Sequence, residues 1–102
     1  MAQLGRMDAA RRDDTSLFRL SGEFDLSNAW KIQDALLSTI REERRDIVVD
    51  LTAVKFMDAQ LVRVLIKARE AAIKRDVAFV VVPPTDKTVS RVAELVDFDI
   101  AA

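Results

Sequence analysis

The residues of this chain that could do chemistry are its carboxylates and hydroxyls, because the sequence contains no histidine and no cysteine. It therefore lacks the commonest general base and metal ligand, and it has no thiol nucleophile or disulfide. A hydrolase of the serine–histidine type is excluded on this chain alone. Four aspartates stand at predicted strand and helix ends without metal-ligand spacing: Asp46, Asp50, Asp58 and Asp76. We predict no catalytic residue, no metal site and no cofactor.

Four hydroxyl residues are candidate acceptors of a phosphoryl group: Thr52, Thr85, Thr88 and Ser90. Each is more simply explained as a helix cap or a turn former. A glycine-rich phosphate loop is absent, because the two glycines of the chain, Gly5 and Gly22, are far apart in sequence. The sequence therefore favours a protein that binds over a protein that catalyses.

The length of 102 residues fits one domain, which we place over residues 1–102. The formal net charge of −1 predicts no general attraction to nucleic acid or to an anionic membrane. No apolar run is long enough to span a bilayer, and the N-terminus does not resemble a secretory signal. We therefore predict a cytoplasmic protein without direct membrane insertion.

The stretch from Asp50 to Lys67 organises the predicted fold. A buried strand is expected to end at Leu51, and a loop is expected over residues 52–57. Asp58 is expected to cap a helix that reaches about Arg75. One face of this helix is apolar, at Leu61, Val64, Leu65, Ala68 and Ala72. A helix N-terminus that follows a strand favours negative charge, so we place a switch or docking centre there.

The remaining pattern alternates strands with helices. Residues 1–15 are weakly patterned, and Leu4 and Met7 suggest an edge strand before a polar turn at Arg11–Asp14. A half-buried strand is predicted at Leu17–Phe24, with a bulge or close backbone approach at Gly22. A helix capped by Ser27 follows, with Trp30 and Leu37 in its apolar stripe. Fully buried strands are predicted at Ile47–Leu51 and Val77–Val82, and a last helix from Thr85 or Asp86. This order predicts a single layered α/β domain with a mostly parallel sheet of four to five strands and helices packed on it. Trp30 and the phenylalanines are assigned to the core.

Several short motifs, in this order, resemble the STAS domain of bacterial anti-sigma factor antagonists. Gly22–Asp25 is similar to the Gly-Glu-Leu-Asp strand end of that family, and Asp50–Val54 to its Asp-Leu-Ser-Gly-Val. Phe56–Asp58 resembles the hydrophobic-Ile-Asp that opens the switch helix, and Val82–Pro84 and Val92–Leu95 resemble the last strand and helix. The resemblance covers roughly Ser16 to Asp99. It implies a STAS-like fold and a role in partner switching and transcription regulation.

In the family, the residue after the helix-opening aspartate is normally a serine that an anti-sigma factor with kinase activity phosphorylates. This sequence has Ala59 there, which has no hydroxyl and cannot accept phosphate. Gln60 replaces a second serine, and Leu61 replaces a glycine. Ala59 could result from an engineered Ser-to-Ala change or from a site that is naturally degenerate. Gln60 and Leu61 also differ from the family pattern, which favours the natural origin.

The resemblance implies a partner-binding surface made of six residues: Asp25, Asp58, Ala59, Gln60, Val62 and Arg63. Val62 is included because an apolar residue off the main helix stripe suggests a contact patch. The implied partner is an anti-sigma factor with an ATP-binding kinase fold. The alternative is an ABC-type lipid transporter, in which the chain would be an accessory subunit that braces the ATPase subunit. A homodimer paired through the weak first strand is also open.

Overall fold

The computed structural model describes residues 5–85, which form four strands and two main helices. In chain order the elements are β1 (Arg6–Arg12), β2 (Thr15–Phe24), α1 (Ala29–Ser38), which continues into a π-helical segment (Thr39–Glu43), β3 (Asp46–Met57), α2 (Ala59–Arg75) and β4 (Phe79–Val82). This succession confirms the predicted order from the first strand to the fourth. The predicted last helix and the terminal apolar residues lie outside the described residues, except for Thr85.

The four strands form one sheet in the order β1-β2-β3-β4. β1 pairs antiparallel with β2, while β2 with β3 and β3 with β4 are parallel. The chain thus moves in one direction across the sheet, and α1 and α2 pack against each other over one face of it. The fold is the predicted α/β arrangement, with four strands among the residues that the structure describes.

The hydrophobic core lies between this sheet face and the two helices. Its buried members come from β2, β3, β4, α1 and α2 and form one continuous cluster. The prediction that Phe18, Leu20 and Phe24 share one buried side of β2 is confirmed. The prediction of full burial for the central strand is wrong: Ile47, Val49 and Leu51 are buried, whereas Val48 is half-buried. No helix among the described residues covers the opposite sheet face, on which Val48 lies.

β3 is longer than predicted, because residues 52–57 continue the strand instead of forming a loop. The register against β2 shifts between Arg19 and Ser21 and again between Gly22 and Glu23. Gly22 has a φ of 85°, which only glycine adopts without strain, and this irregularity confirms the predicted bulge. The shifts let β3 follow β2 to its end, where Met57 pairs with Phe24. A pairing that depends on a distant strand is not visible in the local pattern.

The outer strands also differ in length from the prediction. β1 runs to Arg12, so the polar turn is limited to Asp13 and Asp14. β4 begins at Phe79 instead of Val77, and of its residues only Val81 is buried. β1 forms a regular strand through its antiparallel pairing with β2, although its own sequence pattern is weak.

Arg45 holds the start of β3 against the β1–β2 turn. Its guanidinium donates to the carbonyls of Asp13 and Thr15 at 2.6 and 2.9 Å and to the hydroxyl of Ser16 at 2.9 Å. Ser16 is buried, so losing its partner leaves a polar group without compensation. Arg45 is therefore a structural residue of this turn, whereas its neighbour Arg44 is exposed.

Arg45→Ala is expected to lower the free energy of unfolding by about 2 kcal/mol, because hydrogen bonds from a charged group are lost. Urea denaturation followed by circular dichroism measures the change. Arg12→Ala is the matched control, since Arg12 is an exposed arginine at the end of β1. An equal loss of stability in both variants would contradict the specific role of Arg45.

Candidate docking surface at the start of the second helix

The predicted docking centre lies where β2 and β3 end side by side. The backbone N–H of Asp58 donates to the carbonyl of Phe24 at 3.3 Å, which ties the start of α2 to the end of β2. The loop from Asp25 to Asn28, which leads into α1, therefore lies next to the first turn of α2. Parallel strands place both helix entries at the same edge of the sheet.

Asp58 caps α2 as predicted. Its backbone is extended, with φ −104° and ψ −175°, and its Oδ1 accepts a hydrogen bond from the N–H of Gln60 at 2.9 Å. This satisfies one of the free N–H groups of the first turn. The side chain is half-buried, so the cap also borders the surface that a partner would touch.

Asp25 organises the neighbouring loop. Its Oδ1 accepts hydrogen bonds from the N–H and hydroxyl of Ser27 at 2.9 and 2.6 Å. The hydroxyl bond, followed by the backbone bond, lowers the pKa of the exposed Asp25 carboxyl below its ordinary value. A negative charge is thereby kept beside the N-terminus of α2.

Ser27 does not cap α1, which corrects the prediction. The helix begins at Ala29 after Asn28, and no side chain accepts from its first turn. The hydroxyl of Ser27 is held by Asp25 instead, and the Asn28 side chain accepts from the Asp25 N–H and donates to the Glu23 carbonyl. Both side chains therefore stabilise the loop and not the helix end.

The residues of α2 that were assigned to the predicted surface differ in their exposure to solvent. Ala59 and Gln60 are half-buried, and Arg63 is exposed. Val62 is only 1% exposed and belongs to the core, so its assignment to a contact patch is wrong. The reason is that α2 packs against both α1 and the sheet, which widens its buried side beyond one apolar stripe.

Three large apolar side chains near the same edge are exposed, and the sequence pattern did not assign them to this surface. Leu26, Trp30 and Phe56 are 71%, 57% and 46% exposed. Trp30 was expected in the core, but Ala29, Ile32 and Leu36 form the buried side of α1 and Trp30 projects away from it. Leu26 follows Asp25 in the loop. Phe56, which was also expected in the core, pairs with Glu23 near the end of β3. For Leu26, the sequence did offer a signal of exposure, because an apolar residue stands there inside a polar turn.

The arrangement offers a capped helix N-terminus, a carboxylate and exposed apolar side chains. These groups suit contact with a protein, because exposed apolar residues near polar ones are typical of interaction sites. Within residues 5–85, no three potential metal ligands come together. No helix in this part of the chain has the length and apolar character to cross a membrane.

Comparison with known proteins defines the class of the fold. An anti-sigma factor antagonist from Mycobacterium paratuberculosis superposes with a TM-score of 0.81 at 23% identity, over 94% of this chain and 80% of the other. The unphosphorylated anti-sigma factor antagonist SpoIIAA gives 0.77 at 16% identity, over 91% and 82%. A STAS domain from Rhodobacter sphaeroides, an antisigma-factor antagonist, gives 0.61 at 15% identity, over 78% and 86%.

The sequence itself gives the same assignment. The STAS domain family profile matches residues 6–100, nearly the whole chain. No curated protein matches the sequence significantly. The chain belongs to the STAS domain family, as the ordered motifs had indicated.

The hydrogen bond of the Asp58 cap should make a measurable contribution to stability. Asp58→Ala is expected to lower the free energy of unfolding by about 1 kcal/mol, because the Gln60 N–H loses its acceptor. Asp58→Asn, which keeps an acceptor oxygen, should retain most of the stability. Thermal unfolding of the three proteins measures this, and equal losses in both variants would show that the negative charge matters and the cap does not.

Proposed function

We propose that this protein is a non-catalytic interaction domain that acts as an anti-sigma factor antagonist. Its partner is an anti-sigma factor with an ATP-binding kinase fold, and the contact involves the start of α2 with the adjacent Asp25 loop. The observation that carries the proposal is the solvent access of Ala59 and Gln60 on a capped helix end beside exposed Leu26 and Phe56. The STAS fold and its similarity to antagonist structures support the choice of partner.

Asp25, Asp58, Ala59, Gln60 and Arg63 form the polar part of the proposed contact, and Leu26 and Phe56 add the apolar part. Apolar side chains that become buried supply most of the binding free energy, while the charges orient the partner. The protein would work in a bacterial cytoplasm, where it would release a sigma factor by occupying the anti-sigma factor.

Ala59 makes the proposed docking independent of phosphate at this position. A phosphoryl group would add about −1.5 to −2 charges at the centre of the contact, and alanine has no oxygen to carry it. The protein would therefore bind constitutively or respond to a signal elsewhere on the chain. This separates it from an antagonist that is switched by a serine at the start of the helix.

The test uses purified anti-sigma factors from the source genome, with an ABC transporter ATPase subunit as the alternative partner. Isothermal titration calorimetry is expected to show saturable binding to an anti-sigma factor. Saturable binding to the transporter ATPase alone would instead support the accessory-subunit alternative. Binding to neither would refute the proposed function.

Phosphorylation provides a second readout on the same pair of proteins. With labelled ATP, the wild-type protein should remain unlabelled, whereas Ala59→Ser supplies a hydroxyl at the first residue of α2 and should accept label from a partner with kinase activity. Label in the wild-type protein, for example at Thr52 or Thr85, would move the switch to another hydroxyl.

A homodimer through the open edge of β1 is a separate proposal. β1 pairs with β2 on one side, and six of its seven residues are exposed. An exposed strand edge can pair with a second copy. Sedimentation equilibrium of the wild-type protein and of Ala9→Pro, which removes one donor from the edge strand, tests whether that edge mediates association.

A further inference from the structure

A groove separate from the start of α2 runs between the later turns of α1 and α2. Its floor contains Leu37, which is buried, and Ala71, which is half-buried. Exposed cations from two elements surround this floor: Arg41, Lys67, Lys74 and Arg75. We call this feature the basic groove.

The charge of the basic groove is not neutralised by described residues. The ion pairs between described residues join Arg6 to Asp8, Arg11 to Glu43 and Arg19 to Asp50, and none of them includes a cation of the groove. Glu70 is the one acidic residue among the described residues that line it. The described residues that line the groove therefore carry four basic groups and one acidic group, although the whole chain carries −1.

A structural explanation accounts for part of this cluster. Lys74 and Arg75 lie in the last turn of α2, where cations complement the helix dipole. The same effect favours Arg41, which lies in the last turn of the π-helical segment that continues α1. Lys67 lies in the middle of α2, so the helix dipole does not explain its position at the groove. Four like charges around one groove repel one another, and an anionic ligand would relieve this repulsion.

We propose that the basic groove binds an acidic, partly apolar segment of another protein. The cations supply partners for carboxylates, and Leu37 and Ala71 supply a floor for apolar side chains. A nucleic acid fits less well, because its phosphates could pair with the cations but would leave the apolar floor at Leu37 and Ala71 without a matching contact.

This surface is additional to the proposed docking surface. Lys67 and Lys74 lie eight and fifteen residues after Ala59, which corresponds to about 12 and 22 Å along the helix axis. The groove can therefore be tested with a model ligand, and the result does not depend on whether an anti-sigma factor binds at the start of α2.

The experiment uses a fluorescent peptide in which Glu and Asp alternate with Leu, measured by anisotropy at low and high salt. Its controls are a peptide with Lys in place of the acids and a single-stranded oligonucleotide of similar length. The double variant Lys67→Glu/Lys74→Glu is expected to weaken binding of the acidic peptide by about tenfold at low salt, because attraction becomes repulsion at two positions. High salt should weaken the wild-type interaction.

Arg12→Glu/Lys55→Glu is the matched variant, since it makes the same change in net charge at exposed positions outside the groove. It should retain most of the affinity. Lys67→Gln/Lys74→Gln, which removes charge without adding acids, provides the same test if charge reversal disturbs folding. Equal losses in the groove and matched variants, absence of peptide binding, or tighter binding of the oligonucleotide would each overturn the proposal.

Discussion

Val62→Asp is expected to leave this domain largely unfolded, whereas Arg63→Asp at the next position should leave it folded. Val62 is buried in the core at 1% exposure, and Arg63 is exposed on the same helix. An unpaired carboxylate in an apolar core costs several kcal/mol, which is comparable with the total stability of about 5–15 kcal/mol of a small domain. The neighbouring substitution places its charge in water.

Circular dichroism and urea denaturation of the two variants measure the difference. Val62→Ala is a milder companion, expected to lose about 1–3 kcal/mol because it removes two buried methyl groups and leaves a cavity. If Val62→Asp kept native stability and lost only partner binding, Val62 would belong to the contact surface after all. That result would contradict the packing of α2 described here.

Ala59→Glu is expected to weaken binding to the anti-sigma factor by about 100-fold while leaving the domain folded. A longer, charged side chain would enter the centre of the proposed contact, and an unpaired charge in an interface is costly. The fold should tolerate it, because Ala59 is half-buried and an acidic side chain in the first turn of a helix is favourable.

The matched control is Ala78→Glu, which makes the same substitution at an exposed alanine just before β4, near the opposite end of the sheet. Its binding should remain close to that of the wild-type protein. Leu26→Asp provides an independent test, since it removes the most exposed large apolar side chain of the proposed contact. Wild-type affinity in both Ala59→Glu and Leu26→Asp would remove the start of α2 from the interface.

The local sequence pattern was sufficient to predict the order of the elements and the beginning of α2. Asp58 is a residue type that caps helices, and the apolar residues from Leu61 onward repeat with the helical period. The bulge at Gly22 could be anticipated because a glycine interrupts an alternating strand. The ordered motifs indicated the STAS family, which the profile match over residues 6–100 confirms.

The lengths of strands and the sides that helices bury depended on contacts between distant segments. β3 continues to Met57 because it follows β2 through two register shifts, and this pairing is made with residues more than thirty positions away. The loop predicted at 52–57 was wrong for that reason. Ser27 likewise looked like a helix cap, but the nearby carboxylate of Asp25 holds its hydroxyl.

The sequence by itself determined that this chain forms an α/β domain, that α2 begins after Asp58, and that Ala59 cannot carry phosphate. The burial of Val62 and the exposure of Leu26, Trp30 and Phe56 depend on how distant segments pack together. A helical pattern identifies one apolar side, but the width of the buried side depends on how many elements pack against the helix. Because α2 packs against both α1 and the sheet, Val62 is enclosed between them.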